Sequence, residues 1–488
     1  MKNTNSPSLK SNFIFNLLNT VVGLLFPLIT VPYVSRIFFA EGIGQVHFFQ
    51  SIISYIILCT SLGIPIYAIR EIARVRADAK ERCKVTVEVL ILHSAMMLLG
   101  YFIVFMFVSY STKVQVDIPL FLLFSLSIFF TVIGVNWFYQ GIEDFKYIAI
   151  RSLIVRLLSL ISLFIFVETK DDLFKYALIL VVAEAGSNIL NFFRLRKHLN
   201  FSLFMFRELN IKRHIAPALK VFSLSLVISL YVNLDSVMLG FMKDEAAVGF
   251  YSMATRLTKC ILGIIVSFGI VLLPRFSNMI SNNQFDEFKQ MANKAVGFVI
   301  ALSLPMAVCV IFTASPLIRL FAGEEFGPSV VVLQLLSPII LFISLSSIIS
   351  MQVLYPQGKE NIALKSTGTG AITNFTLNLL LIPQFSYIGA AFSTAIAECL
   401  VLVVLLIAGR KYLPIQIFSK INLHYLIGTC LIALSLYLLS LFILNEMLYM
   451  FIGMVVSWVI YILYLYIVKN ELTLQLIENA TRRIKSKL

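Results

Sequence analysis

Arg256 and Lys259 stand three residues apart inside a long apolar stretch, residues 247–273. In a helix that spacing puts both side chains on one face. At 1.5 Å per residue they lie roughly 14–18 Å past the start of the stretch, near the middle of a bilayer. Two like charges there repel unless they meet an anion, and the matching chemistry is a phosphate or diphosphate site. The alternative is ion pairing with Asp235, Glu184 or Glu398. Arg156 lies about one turn beyond Arg151 in its own stretch; it either snorkels to the interface or lines an inner cavity. Arg36, at the end of the first stretch, is placed to meet a substrate on the outer side. Asn16 and Asn19, again three apart, suit sugar hydroxyls or hydrogen bonds between helices. Glu184 and Glu398 are mid-stretch carboxylates, suited to pairing between halves of the chain or to proton or cation coupling. Asp235, nearer the end of its stretch, is a coupling carboxylate or an interfacial one. His47 and His93 are isolated and read as structural. No motif supplies a nucleophile, paired surface carboxylates or metal ligands, so neither catalytic residues nor a metal is expected. The six cysteines, Cys59, Cys83, Cys260, Cys309, Cys399 and Cys430, are scattered, which argues against a disulfide framework or a zinc site.

The elements that hold these groups follow from composition. Of 488 residues 59% are hydrophobic and 13% charged, against about 25% charged in soluble domains. The chain is expected to be an all-α integral membrane protein. Fourteen stretches are long enough to span: 12–35, 43–66, 86–108, 118–139, 149–167, 173–193, 217–240, 247–273, 293–313, 328–352, 362–382, 387–408, 422–443 and 448–468. Phe13–Phe38 is too long for a signal-peptide core and has no small-x-small cleavage site, so it counts as the first span. Pro27 and Pro32 are expected to kink it. With the N-terminus inside, 30 of the 39 Lys and Arg fall in inner segments and 6 at the outer edge. That bias places both termini in the cytoplasm. The net charge of +14 is then a topology signal and a contact with anionic lipid heads, not a nucleic-acid footprint.

Shifted by 214 residues, the chain meets itself. Ala149-Ile150-Arg151-Ser152 falls on Ala363-Leu364-Lys365-Ser366, Ala183-Glu184 on Ala397-Glu398, and Arg196-Lys197 on Arg410-Lys411. A looser match joins Gly44 to Gly249. The expected plan is two parallel six-helix repeats around a central cavity, with two extra C-terminal helices. The domains are 1–200, 201–415 and 416–488, the last holding two charge-free spans and a basic tail. The stretches YQGIEDFKYIAIRS (139–152) and PQGKENIALKS (356–366) are expected to be equivalent cytoplasmic turns, either structural or making gating contacts between the halves. In them Gly141 and Gly358 would end one helix, and Glu143, Asp144 and Glu360 would favour the N-terminus of the next. Arg151 and Lys365 would anchor that helix at the interface.

Several stretches together resemble a known family. They are LLFPLITVPYVSRIF in the first span, LGIPIYAIREIAR after the second, NWFYQGIEDFKYIAIRS between the fourth and fifth, and YVNLDSVMLG followed by VGFYSMATRL in the second half. The whole chain resembles Wzx-type bacterial oligosaccharide flippases of the MATE-like (MOP) superfamily, which also holds the lipid II flippases. The resemblance implies an undecaprenyl-diphosphate-linked oligosaccharide as substrate, carried from the inner to the outer leaflet of the bacterial inner membrane by alternating access. It implies a cationic cavity, which Arg256 and Lys259 fit; Arg36, Arg156 and Asn19 are further candidate contacts by their positions in the spans. It also implies surrounding membrane lipid, a monomeric transport unit, no bound cofactor, and polysaccharide polymerase machinery as an allowed partner. Drug exporters of the superfamily use an acidic residue in the first span. Here no Asp or Glu precedes Glu41, which weighs against the alternative of a cation-coupled multidrug exporter and leaves proton or sodium coupling open.

Overall fold

In lipid each backbone N–H and C=O must be satisfied within its own segment, so an apolar chain of this kind builds helices. The computed structural model describes residues 9–199, 208–417, 419–470 and 473–474, and every regular element among them is helical. Eleven of the described helices are long and apolar enough to cross a membrane, and the chain is a multi-pass membrane protein. It divides into two compact units, Met1–Gly249 and Phe250–Leu488.

Unit 1 opens with α1 (Leu9–Ser61), 53 residues long, where about 20 suffice to span. It is two helices joined at Phe39, whose φ of 55° interrupts the helix between the first and second expected spans. Both prolines lie in continuous helix, so the break falls at Phe39 and not at Pro27 or Pro32. Leu62 and Gly63, both with positive φ, then turn the chain into α2 (Ile64–Arg74). Hydropathy runs the second span to residue 66 and gives no sign of this helix, because its apolar residues follow the span directly. Pro65 sits in its first turn, where a missing N–H costs nothing. Ile64, Tyr67, Ala68 and Ile72 are buried while Arg70 and Arg74 are exposed, the pattern of a helix lying on a core.

α3 (Ala79–Tyr110) starts at Asp78, whose carboxylate accepts from the N–H groups of Lys80 and Glu81 at 2.9 and 3.1 Å. After α4 (Thr112–Gln115) come α5 (Ile118–Gly134) and α6 (Asn136–Gly141), one expected span broken at Val135, φ 38°. α7 (Phe145–Phe166) is the fifth expected span. α8 (Leu173–Val181), a π-helical turn at Val182–Gly186 and α9 (Ser187–Leu195) make the sixth. α10 (Lys212–Met242) follows. Tyr67 and Ile72 of α2 bury against Trp137, Phe138 and Tyr139 of α6, with Val89 of α3 and Ala218 of α10. Lipid-facing positions such as Leu98, Phe102 and Phe105 stay exposed on the protein, as the bilayer requires.

α11 (Glu245–Ser281) begins in the last residues of unit 1 and continues as the first helix of unit 2. Then come α12 (Phe285–Ala322), α13 (Ser329–Leu336), α14 (Ile339–Ser347) and a π-helical stretch, Ile348–Leu354. α15 (Glu360–Gly409) joins the eleventh and twelfth expected spans across a break at Ser386, φ 51°. α16 (Lys420–Phe442) and α17 (Glu446–Ile467) pack on each other and on α12. The Tyr461 hydroxyl donates to the Ala301 carbonyl at 2.9 Å, and Glu446 meets Arg319 at 3.1 Å.

The two similar turns use their glycines differently. Gly358 has φ 66° and caps a 3-10 turn, as its place in the turn implies. Gly141 stays helical, and the positive φ of that turn belongs to Glu143. Gly141 is small for another reason: a Cβ there would come within 2.7 Å of the Ile72 side chain. Asp144 caps α7 by accepting from the Tyr147 N–H at 3.3 Å. Arg151 is a buried side chain, held by Asn136 at 3.0 Å and by Asn191.

Candidate functional site

α11 carries Arg256 and Lys259 about one turn apart, the first half-buried and the second exposed. Among the described residues Arg256 has no carboxylate at ion-pair distance. Closer to the start of α11, Tyr251 opens a polar chain through unit 2. Its hydroxyl lies 3.1 Å from Thr394 Oγ1, which accepts from Asn374 Nδ2 at 3.2 Å, and Asn374 Oδ1 accepts from Asn378 Nδ2 at 3.1 Å. Asn374 and Asn378 are fully buried. The chain ties α11 to both limbs of α15. Glu398, also buried, lies on the second limb of α15.

Unit 1 brings other expected groups together. The Arg156 guanidinium of α7 packs against Gly23 of α1, where a Cβ would come within 3.2 Å of Nη1. It lies within electrostatic range of Glu184, which the π-helical turn carries. A π turn of this kind often marks a functional position. Asp235 is buried on α10, within electrostatic range of Tyr55 of α1. Arg36 is exposed on α1 and donates to the Pro32 carbonyl. Asn19 is on α1, but its side chain, like that of Asn16, lies outside the described residues. Arg256, Lys259 and Glu398 thus belong to unit 2, and the other charged candidates to unit 1.

Two clusters escape the reading by local spacing. Glu88 of α3, fully buried, accepts from the Asn210 N–H at 2.6 Å and from Arg213 at 2.5 and 2.9 Å. His214 Nε2 lies 2.7 Å from it, and the Tyr67 hydroxyl lies 2.6 Å from His214 Nδ1. Burial first, and Glu71 second, push the Tyr67 hydroxyl above its ordinary pKa, so it stays protonated beside the imidazole. The second cluster surrounds the break at Val135. Asn191 donates to the Gly134 carbonyl and, at 3.0 Å, to Asn136; Asn136 donates to Asn188 at 3.1 Å, and Tyr139 to the Asn191 carbonyl at 2.8 Å. These bonds satisfy backbone and amide groups that the broken helix would leave unpaired in an apolar setting. The signals were present in the sequence: Glu88 is a carboxylate within the expected span 86–108, and Asn188 and Asn191 are amides within 173–193.

Residues 9–280, more than half of the chain, match the family described as polysaccharide biosynthesis protein, and residues 222–380 match the MatE family. A Shigella dysenteriae protein named for O-antigen transport is 24% identical over 402 residues, covering 82% of this chain and all of that protein. The Escherichia coli (strain K12) protein of the same name is 25% identical, covering 84% of this chain and 98% of its own length. Staphylococcus aureus CapF, a capsular polysaccharide biosynthesis protein, is 26% identical over 54% of this chain and 67% of its own. Among solved structures, the lipid II flippase MurJ in an inward closed conformation superposes with a TM-score of 0.74 at 17% identity, over 94% of this chain and 99% of that one. An inward-facing multidrug resistance MATE family transporter of the MOP superfamily gives 0.62 at 15%, over 83% and 96%. These relatives are named as transporters, flippases and biosynthesis proteins, and the likeness to both structures shows a MATE-like fold. The chain belongs to the polysaccharide biosynthesis protein family.

Proposed function

We propose that this protein is a flippase that moves undecaprenyl-diphosphate-linked oligosaccharide repeat units from the inner to the outer leaflet of a bacterial inner membrane. The observation that carries this reading is the match along the whole length of the Shigella dysenteriae protein named for O-antigen transport. In this reading fourteen helices cross the membrane, and the six-helix bundles of residues 1–200 and 201–415 rock about a central cavity. The head group travels in the cavity while the prenyl tail stays in lipid. Arg256 and Lys259 meet the diphosphate, and Arg36, Arg156 and Asn19 are further contacts. Glu184, Glu398 and Asp235 pair between halves or couple transport to a proton or sodium gradient. The transport unit is one chain, and polysaccharide polymerase machinery receives the product.

The test is the double variant Arg256→Ala and Lys259→Ala. Two charge-assisted contacts of about 1.5 kcal/mol each predict roughly a hundredfold loss of surface-polysaccharide export. The variant protein should remain in the membrane at normal abundance. Normal export by a correctly inserted double variant would remove these two residues from the site.

A further inference from the structure

Where α7 and α9 of unit 1 lie side by side, they border a groove of about 450 Å³ that none of the proposed transport steps uses. One end is cationic. The Arg194 guanidinium stacks 3.7 Å from the centre of the Tyr147 ring and bonds Asp144 at 2.7 Å. Lys197, in the turn after α9, is exposed and has no ion-pair partner among the described residues. Behind them Arg151 is 6% exposed; its two terminal nitrogens are held by Asn191 and Asn136, while its Nε lines up with no partner. The other end of the groove is apolar. Ile150, Ile154, Leu190 and Phe193 are each roughly half exposed there.

Three cations against one carboxylate leave net positive charge at one end. A stacked guanidinium keeps donors in a fixed fork for an oxyanion. Both features ask for an anion. The apolar end asks for hydrocarbon. A free phosphate would leave that end uncovered, and a zwitterionic lipid would bring its own cation against Lys197. Basic recesses between membrane helices hold anionic lipid heads for this reason. We propose that the groove holds an anionic phospholipid of the surrounding membrane, its phosphate against Arg194 and Lys197 with Arg151 behind, and its acyl chains along α7 and α9.

The experiment titrates the purified full-length protein in detergent with phosphatidylglycerol, phosphatidylcholine or undecaprenyl phosphate, and counts retained lipids by native mass spectrometry. Phosphatidylglycerol should be retained over phosphatidylcholine. Lys197→Ala should lower its retention about fivefold, the worth of one basic residue beside an anionic lipid. Arg194→Ala should lower it further, and Arg194→Lys less than Arg194→Ala; Lys420→Ala on α16 should change nothing. Because Lys197 is exposed, its variant reads the site even where loss of the Arg194 stack disturbs folding. Equal retention of the two phospholipids, or unchanged retention in Lys197→Ala, overturns the proposal. Preferential retention of undecaprenyl phosphate that Lys197→Ala abolishes overturns it in favour of the carrier lipid.

Discussion

Glu88 ties three elements of unit 1 together through one carboxylate. Arg213 and His214 belong to the first turn of α10, and Tyr67 belongs to α2, so the bonds that converge on Glu88 fix the start of α10 to α3 and, through His214, to α2. Replacing Glu88 with Ala leaves a guanidinium and a buried imidazole facing a gap. Losing the hydrogen bonds of a buried carboxylate, and leaving the buried imidazole without its partner, costs on the order of 2 kcal/mol, since the Arg213 left behind is solvent-exposed. The Glu88→Ala protein should therefore show a clearly lower unfolding midpoint in detergent, and Glu88→Gln, which keeps the shape and part of the bonding, a smaller drop. Equal midpoints for all three proteins would mean that the cluster is incidental. Arg256 and Lys259 stood out in the sequence because two cations inside an apolar run are rare. Glu88 did not, because its partners are more than a hundred residues away and spacing along the chain reports only neighbours. The same holds for Arg151, whose partner Asn191 lies 40 residues on; a terminal-looking basic residue proved to be a core one.

At the scale of elements, α1 and the first turn of α11 approach each other closely within unit 1. A Cβ on Gly44 would overlap the Glu245 carbonyl oxygen, and a Cβ on Gly249 would overlap the Ala40 carbonyl oxygen. Each glycine thus faces the carbonyl four residues before the other. Residues 40 and 44 stand in the same relation to 245 and 249 as Gly44 does to Gly249 in the loose sequence match, so the two matched glycines meet each other across a local two-fold arrangement. Small residues allow backbones to approach this closely in membrane helices. Gly44→Ala should already cost about 1–3 kcal/mol by overpacking, seen as a lower unfolding midpoint, and Gly44→Val should fail to give monodisperse protein. Gly297→Ala is the control, because nothing lies nearer than 3.5 Å to its Cβ position. Wild-type behaviour of Gly44→Val would contradict the close crossing. Span positions were legible because lipid demands long apolar segments. The breaks at Phe39, Val135 and Ser386 were not: a positive φ at a non-glycine residue is imposed by packing and leaves no mark in composition. α2 was hidden for a related reason, since only the turn at Gly63 separates it from the span before it.

The orientation of the whole chain is an argument about charge and symmetry together. Thirty of 39 basic residues fall on one set of connections, which the positive-inside rule expects on the cytoplasmic side. A parallel repeat adds a stricter condition: turns equivalent at the 214-residue offset must emerge on the same side, whereas an inverted repeat would send them to opposite sides. Two pairs of exposed positions separate these cases. Lys146 and Glu360 stand at the starts of α7 and α15; Asp171 and Phe385 stand at the turns that follow, the first within the 3-10 turn Lys170–Asp172 and the second next to the break at Ser386. Each would carry a single cysteine in a background from which the six native cysteines have been replaced. In intact cells a membrane-impermeant maleimide should label Asp171→Cys and Phe385→Cys and spare Lys146→Cys and Glu360→Cys until the membrane is opened. Labelling of all four in reverse would overturn the inside assignment but keep the parallel repeat. Opposite labelling within either pair would overturn the repeat itself, and with it the rocking of two like-oriented bundles.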